Sequence, residues 1–198
     1  MSTEVKTLAE RVAALGHELG IGYFVYASGV VSKSKDAGKS PIVGVIVSKN
    51  PDKNARVGTR AKMLTLQQVR KPWASEEKLL GVSNVIYGDI STKNVIEKAE
   101  QIGIEVPACS YCAQFSCEGI AAGEAYLPSK QELEAASRSC DIVNEALEAI
   151  NAPRFRGIYQ TSSEYNRERV WQVCVEKSEA QIYAKTYGGD YTRAMVSL

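Results

Sequence analysis

Three stretches near the carboxyl end decide the fold class: Arg169-Val-Trp-Gln-Val-Cys-Val175, Ala180-Gln-Ile-Tyr-Ala-Lys-Thr186 and Tyr191-Thr-Arg-Ala-Met-Val-Ser197. Each is rich in β-branched and aromatic residues. Short polar or glycine-rich segments separate them, a spacing that reads as an antiparallel meander. Upstream, Ser129-Lys-Gln-Glu132 is a capping box, in which hydroxyl and carboxylate each satisfy a free backbone donor at a helix start. Leu133, Ala136, Cys140, Val143, Leu147 and Ile150 then line one helical face, which Asn151-Ala-Pro153 ends. Near the amino end, Ile21–Tyr26 and Pro41–Val47 read as strands, and a further strand is expected over Val57–Leu64. Asn50–Asn54 is a turn. A short helix is expected over Leu66–Val69, and another from Ser91 or Thr92 to Gly103. Strands, then helices, then strands is an α+β order, distinct from alternating βαβ.

The first segment has a different period. Val5, Leu8, Val12, Leu15 and Leu19 follow spacings of 3, 4, 3 and 4, an a/d heptad seam flanked by strong helix formers. Two heptads are marginal alone in water, so the helix needs partners, either copies of itself or the body of the domain. The division expected is an oligomerisation helix over residues 1–20 and a folded domain over 21–198.

Composition narrows the function classes. The 198 residues are 44% hydrophobic and 24% charged, with a net charge of +1; mean hydropathy is −0.20. This is an ordinary globular chain with no bilayer-spanning apolar run, so membrane insertion is not expected. Charge is uneven: residues 32–78 carry 11 Lys and Arg against 4 acids. The basic residues are not interleaved with aromatics, so they read as solvated loops and strand faces, and no nucleic acid partner is expected. Five cysteines argue against a complete disulfide framework, and Met1-Ser-Thr-Glu leads directly into a helical pattern rather than a signal peptide. Synthesis in a reducing cytoplasm is expected.

Catalytic signals are weak. Cys109-x-x-Cys112 with Cys117 invites a metal reading, but no second pair completes it. Cys109 and Cys112 read better as small apolar residues on one helix face. His17 is the single histidine and has no evident nucleophile beside it. Neither a nucleophile elbow, a phosphate-binding glycine loop nor a zinc-protease motif is present. No metal, cofactor or catalytic residue is expected. Tyrosine placement is more informative. Tyr159, Tyr165, Tyr183, Tyr187 and Tyr191 are half of the ten tyrosines, all within the last forty residues. Tyrosine combines a large contact area with a polar tip, which suits recognition surfaces.

Several blocks together resemble a family of bacterial and phage domains with a C-type-lectin-like fold, related in architecture to the formylglycine-generating enzyme. Tyr126-Leu-Pro-Ser-Lys-Gln-Glu-Leu133 resembles its Leu-Pro-Ser block, and Tyr159-Gln-Thr-Ser-Ser-Glu-Tyr165 its Ser-Ser-Glu-Tyr block. Asp141–Leu147, Val170-Trp171 and the ending through Thr192–Val196 resemble further landmarks, as do Tyr26–Gly29 and Lys39–Ile46, which look like the opening of proteins from gut Bacteroidales and their phages. Ala125 and Gln160 stand where the family often has Trp. The calcium-lectin signatures and the paired catalytic cysteines are missing. The resemblance implies mixed or antiparallel sheets with two helices behind the amino-terminal coiled coil. It also implies a non-enzymatic virion protein, a fibre or a capsid or tail decoration subunit. That subunit would be a homo-oligomer, taken as a trimer, contacting other virion proteins and a host surface glycan or protein. The alternatives are a cytoplasmic cysteine-dependent enzyme, using Cys109, Cys112 or Cys174, and a bacterial adhesin. In this fold the carboxyl-terminal strands commonly form the ligand surface. Strand alternation then sends Trp171, Val173, Val175, Ile182 and Ala184 inward. Val170, Gln172, Cys174, Tyr183 and Lys185 face outward, and one exposed binding face is expected from Tyr165, Asn166, Arg167, Tyr183, Tyr187, Asp190 and Tyr191.

Overall fold

The computed structural model describes residues 6–49 and 61–198. The elements run α1 (Leu8–Leu15), β1 (Phe24–Tyr26), β2 (Val31–Ser32), β3 (Ile42–Ser48), β4 (Lys62–Thr65), β5 (Val69–Arg70), α2 (Gly88–Ile102) and α3 (Pro107–Gln114). They continue β6 (Ala125–Tyr126), α4 (Lys130–Ser137), α5 (Cys140–Ala149), β7 (Ile158–Glu164), β8 (Arg169–Cys174), β9 (Glu179–Ala184), β10 (Tyr191–Thr192) and β11 (Met195–Ser197). The fold is α+β, with four helices after the amino-terminal one among the described residues, where two were expected. Asn50–Asn54, Val5 and the first part of the Val57–Leu64 strand lie outside the described residues.

Two sheets form. One is six-stranded and antiparallel, in the order β2-β1-β3-β4-β11-β6. The other is five-stranded and mixed, in the order β5-β10-β7-β8-β9, with β10 parallel to β7. The expected three-strand meander is therefore half right. β8 and β9 pair as a hairpin, but Tyr191–Ser197 splits. Its first half joins β7 in one sheet, and its second half inserts between β4 and β6 in the other. Arg193 and Ala194 make the crossing. Arg193 Nε donates to the Thr65 carbonyl at 2.6 Å, and Thr65 N donates to the Ala194 carbonyl at 3.1 Å.

The Ser129 capping box forms as the sequence dictates: Glu132 N donates to Ser129 Oγ at 3.3 Å and Ser129 N to Glu132 Oε2 at 2.9 Å. The single helix expected after it is two, broken at Arg138-Ser139, and this lets Leu133 and Ala136 of α4 and Val143 and Leu147 of α5 bury in one cluster. That cluster is completed by Leu64, Phe155, Tyr159, Val173 and Val175. A second cluster holds Trp73, Val95, Cys109, Cys112, Val170 and Val196. The short helix expected over Leu66–Val69 is a bend leading into β5.

The heptad seam needs correction. Leu8 and Val12 are buried in the second cluster, with Leu19 packed against it, while Leu15 is exposed. Over the described residues the apolar stripe of α1 packs on its own chain, through Leu8, Val12 and Leu19. Leu8 N donates to Glu124 Oε2 at 2.9 Å, and the Arg11 guanidinium bonds the Gly119 carbonyl. At Gly29, φ is +91°, and a Cβ there would stand 2.7 Å from Arg11 Cβ and 3.0 Å from Val12 N. Only glycine lets the two backbones approach this closely. Residues 6–20 and the rest of the domain thus share one core.

Candidate functional site

Between β5 and α2 the chain runs through residues 71–87 without helix or strand. Irregular connections of this length inside a compact fold are usually functional or disordered. This one is fastened at every few residues. Trp73 N and Ala74 N donate to the Lys185 carbonyl at 2.9 and 3.0 Å. Leu80 N donates to Glu164 Oε1 at 2.8 Å, while Gly81 N and Val82 N donate to Glu164 Oε2 at 2.6 and 3.1 Å. Ser163 Oγ donates to the Asn84 carbonyl and Ser129 Oγ to the Ile86 carbonyl, both at 2.9 Å. The stretches Tyr126–Leu133 and Tyr159–Tyr165 meet here and clamp the connection. Ser162 N donates to the Pro128 carbonyl at 2.9 Å and Lys130 N to Ser163 Oγ at 3.1 Å.

The centre of the clamp is a buried ion pair. Lys185 Nζ donates to Glu164 Oε1 and to the Lys78 carbonyl, and the two side chains are 0% and 2% exposed. The ammonium also lies 5.0 Å from the centre of the Trp73 ring. Burial lowers the Lys185 pKa, and the Glu164 carboxylate opposes that shift. Strand alternation alone sends Lys185 outward. It turns in because Glu164, Trp73 and a backbone carbonyl together replace its hydration.

What the clamp presents is apolar. Leu79 is 62% exposed and Tyr165 48%; Ile86, later in the same connection, is exposed as well. The Tyr165 ring meets Trp171 edge-on at 5.0 Å, and Lys130 Nζ lies 4.9 Å over the Trp171 ring. Trp171 is thus half-buried at this rim, not a core residue as expected. Leu79 and Ile86 carry no motif in the sequence, and Lys130 lies in the capping-box block without being marked there as a surface residue. Only the absence of any period over 71–87 marks the segment.

The seven expected surface residues fall into three groups. Tyr165, Asn166 and Arg167 sit at the β7–β8 hairpin beside the strap. Asn166 Oδ1 accepts from Glu168 N and Arg169 N at 3.0 and 2.8 Å, which shapes the turn, and Arg167 Nε donates to the Glu77 carbonyl at 3.3 Å. Tyr183 and Tyr187 pair at 6.0 Å on the opposite face of the hairpin, because Tyr183 is the register partner of Val170 while Trp171 pairs with Ile182. Tyr187 is 50% exposed and Tyr183 half-buried. Tyr191 leans on Tyr159 at 5.4 Å under the Arg70 guanidinium. Asp190 is buried, against expectation. Val170 and Gln172 are also buried, because the 71–74 and 187–190 segments cover the sheet face expected to be open, and Ala184, expected inward, is exposed on the other face.

A cleft of about 630 Å³ lies elsewhere, lined by Thr7, Thr92, Ile96, Glu124, Tyr126 and Ser197. At its base Lys62 Nζ stands 2.6 Å from Ser197 Oγ, 2.9 Å from the Tyr126 hydroxyl and 3.0 Å from Glu132 Oε1. Burial and Glu132 hold the Tyr126 phenol far above its ordinary pKa. Glu132 is committed to four donors, two of them backbone, and leaves no free base for the serine. The knot fastens α4, β4, β6 and β11. Cys109 and Cys112 are fully buried, and burial raises both thiols, the reverse of an activated nucleophile. Among the described residues no group of three His, Cys, Asp or Glu side chains gathers, and no helix is long and apolar enough to cross a membrane.

No family model and no curated protein matches the chain. A solved structure does: a fimbrial protein from Bacteroides ovatus ATCC 8483, with a TM-score of 0.67 over 92% of this chain at 14% identity. The match covers 49% of that protein, so the chain spans about half its length. At this identity the likeness is one of fold.

Proposed function

We propose that the protein is a non-enzymatic display subunit whose C-type-lectin-like head binds a surface glycan or protein through the strap over residues 71–87 and the adjoining hairpin. One observation carries this reading: an irregular segment held rigid by a buried Lys185–Glu164 pair, with Leu79 and Tyr165 left in solvent at its crest. Rigid, preformed loops with apolar and aromatic tips lose little entropy on binding. The meeting of the two family blocks at the base of that segment supports the lectin-like assignment. A virion fibre or decoration subunit is the proposed setting. The fimbrial neighbour favours a second reading, a subunit of a cell-surface appendage. The amino-terminal helix is not proposed as the means of assembly, since its apolar stripe is spent on its own chain.

The test is binding of the labelled full chain to intact Bacteroidales cells, followed by flow cytometry. Leu79→Asp and Tyr165→Ala are expected to cut binding while leaving the melting temperature within a few degrees of the parent, with a hot-spot loss of about 2 kcal/mol or more. Unchanged binding by both variants removes the proposed face. Immunodetection in purified virions against sheared appendages separates the two settings.

A further inference from the structure

Nine buried side-chain nitrogen and oxygen atoms lack a hydrogen-bond partner among the described residues, and six of them belong to one patch: Gln160 Oε1, Ser162 Oγ, Gln172 Oε1 and Nε2, Asp190 Oδ2 and Thr192 Oγ1. Native interiors hold few such atoms, and each demands an occupant or an explanation. Their concentration follows from the register. Gln160 and Gln172 are cross-strand partners on β7 and β8. Tyr191 is the parallel partner of Tyr159, which sets Thr192 beside Gln160 on the same sheet face. Ser162 follows along β7, where the ladder with β8 widens between Gln160 and Glu164. Asp190 enters from the turn that covers the face, with the Gln172 side-chain amide beside its carboxylate. Every one of these residues is at most 7% exposed.

Five of the six atoms are oxygens, from one carboxylate, two amide carbonyls and two hydroxyls; the sixth is the Gln172 amide nitrogen, which can donate to a neighbouring oxygen but cannot ligate a cation. Arg70, whose charge reaches Asp190, gives its own donors to the Gly189 carbonyl at 2.6 Å and the Tyr191 hydroxyl at 3.1 Å. The buried carboxylate oxygen is left without a bonded cation, a costly arrangement in an interior. Hard cations take this donor set, mixing carboxylate, amide carbonyl and hydroxyl oxygens, whereas softer metals call for nitrogen or sulfur.

We infer that the face of the five-stranded sheet beneath the Tyr187–Asp190 turn is a binding site for one hard, oxygen-liganded cation, held by Asp190, Gln160, Gln172 and Thr192. A cation there fastens the turn to the sheet. Because the turn carries Tyr187, the ion sets the position of the Tyr183–Tyr187 pair. The proposal does not rest on the binding role proposed for residues 71–87.

The test is thermal unfolding of the full chain, stripped with chelator, against Ca²⁺, Mg²⁺, Na⁺ and K⁺ at constant ionic strength. One cation is expected to raise the melting temperature with saturation, by about 5–10 °C at a hundredfold excess over its Kd. Asp190→Asn and Thr192→Val are each expected to weaken that response at least tenfold in apparent affinity. Thr192→Val conserves shape and charge, so it decides the matter if Asp190→Asn does not fold. A melting temperature indifferent to cation identity assigns the patch to water and overturns the proposal. So does an undiminished response in Thr192→Val.

Discussion

Glu164 and Lys185 illustrate how a buried pair acts unequally through its two members. The carboxylate receives three backbone N–H groups as well as the ammonium, so it holds the strap even without its partner. Glu164→Ala strands a buried ammonium and frees residues 80–82. A loss of about 3–5 kcal/mol in urea unfolding is expected, together with faster proteolysis at the strap. Lys185→Met is expected to cost less, since the aliphatic chain packs on Trp73 and the carboxylate keeps its backbone donors. The two buried thiols give a pH signature. Burial raises Cys109 and Cys112 in the folded state, so above the ordinary thiol value of 9.0 the unfolded chain releases protons that the folded chain keeps. Stability contributed below that value is then lost as pH rises, at up to roughly 3 kcal/mol per pH unit for two protons. Urea midpoints at pH 8 to 10.5 on the parent and on Cys109→Ala/Cys112→Ala check it: the parent's alkaline slope should flatten in the variant. Under native labelling at neutral pH, Cys117, Cys140 and Cys174, all partly exposed, should react before Cys109 and Cys112.

At the scale of elements, α1 is the sharpest lesson in what periodicity conveys. The 3-4 spacing located the helix and its apolar side. It carried no information about whether that side meets another chain or its own, because Leu8 and Val12 satisfy either arrangement equally. Leu8→Ala is therefore expected to lower stability by about 2–5 kcal/mol and to leave the mass measured by light scattering unchanged. Gly29→Ala should act on the same contact from the other side, lowering the melting temperature, because the added Cβ meets backbone atoms of α1 and the residue must keep φ at +91°. The capping box was legible because its two hydrogen bonds are local. The break between α4 and α5 was not, since the apolar face continues through Cys140 and only tertiary packing separates the helices. The same limit explains the surface residues. Alternation places Tyr183 opposite Trp171, but it does not reveal that Lys185 and Gln172, on the Tyr183 side, lie under cover supplied by residues 71–74 and 187–190.

For the whole molecule, what the sequence withheld is connection over distance. The strap over 71–87 has no period of its own, and its order is imposed by Ser129, Ser163, Glu164 and Lys185, from 43 to about a hundred positions away. The class of fold was legible from the succession of elements. The sheet to which each strand belongs was not, least of all for Tyr191–Ser197, which reads as one strand and serves two sheets. A chain ending at residue 190 loses β10 from one sheet and the strand between β4 and β6 from the other. It is expected to show no cooperative thermal transition by circular dichroism. The same topology imposes an order on biosynthesis. A nascent chain holding everything through β9 still has β6 without its strand partner and β7 unpaired on one side, so neither layer can close while residues 191–197 remain inside the ribosome. The domain must then fold as a unit after those residues emerge, and until that moment its half-built edges need shelter from pairing with one another on neighbouring polysomes.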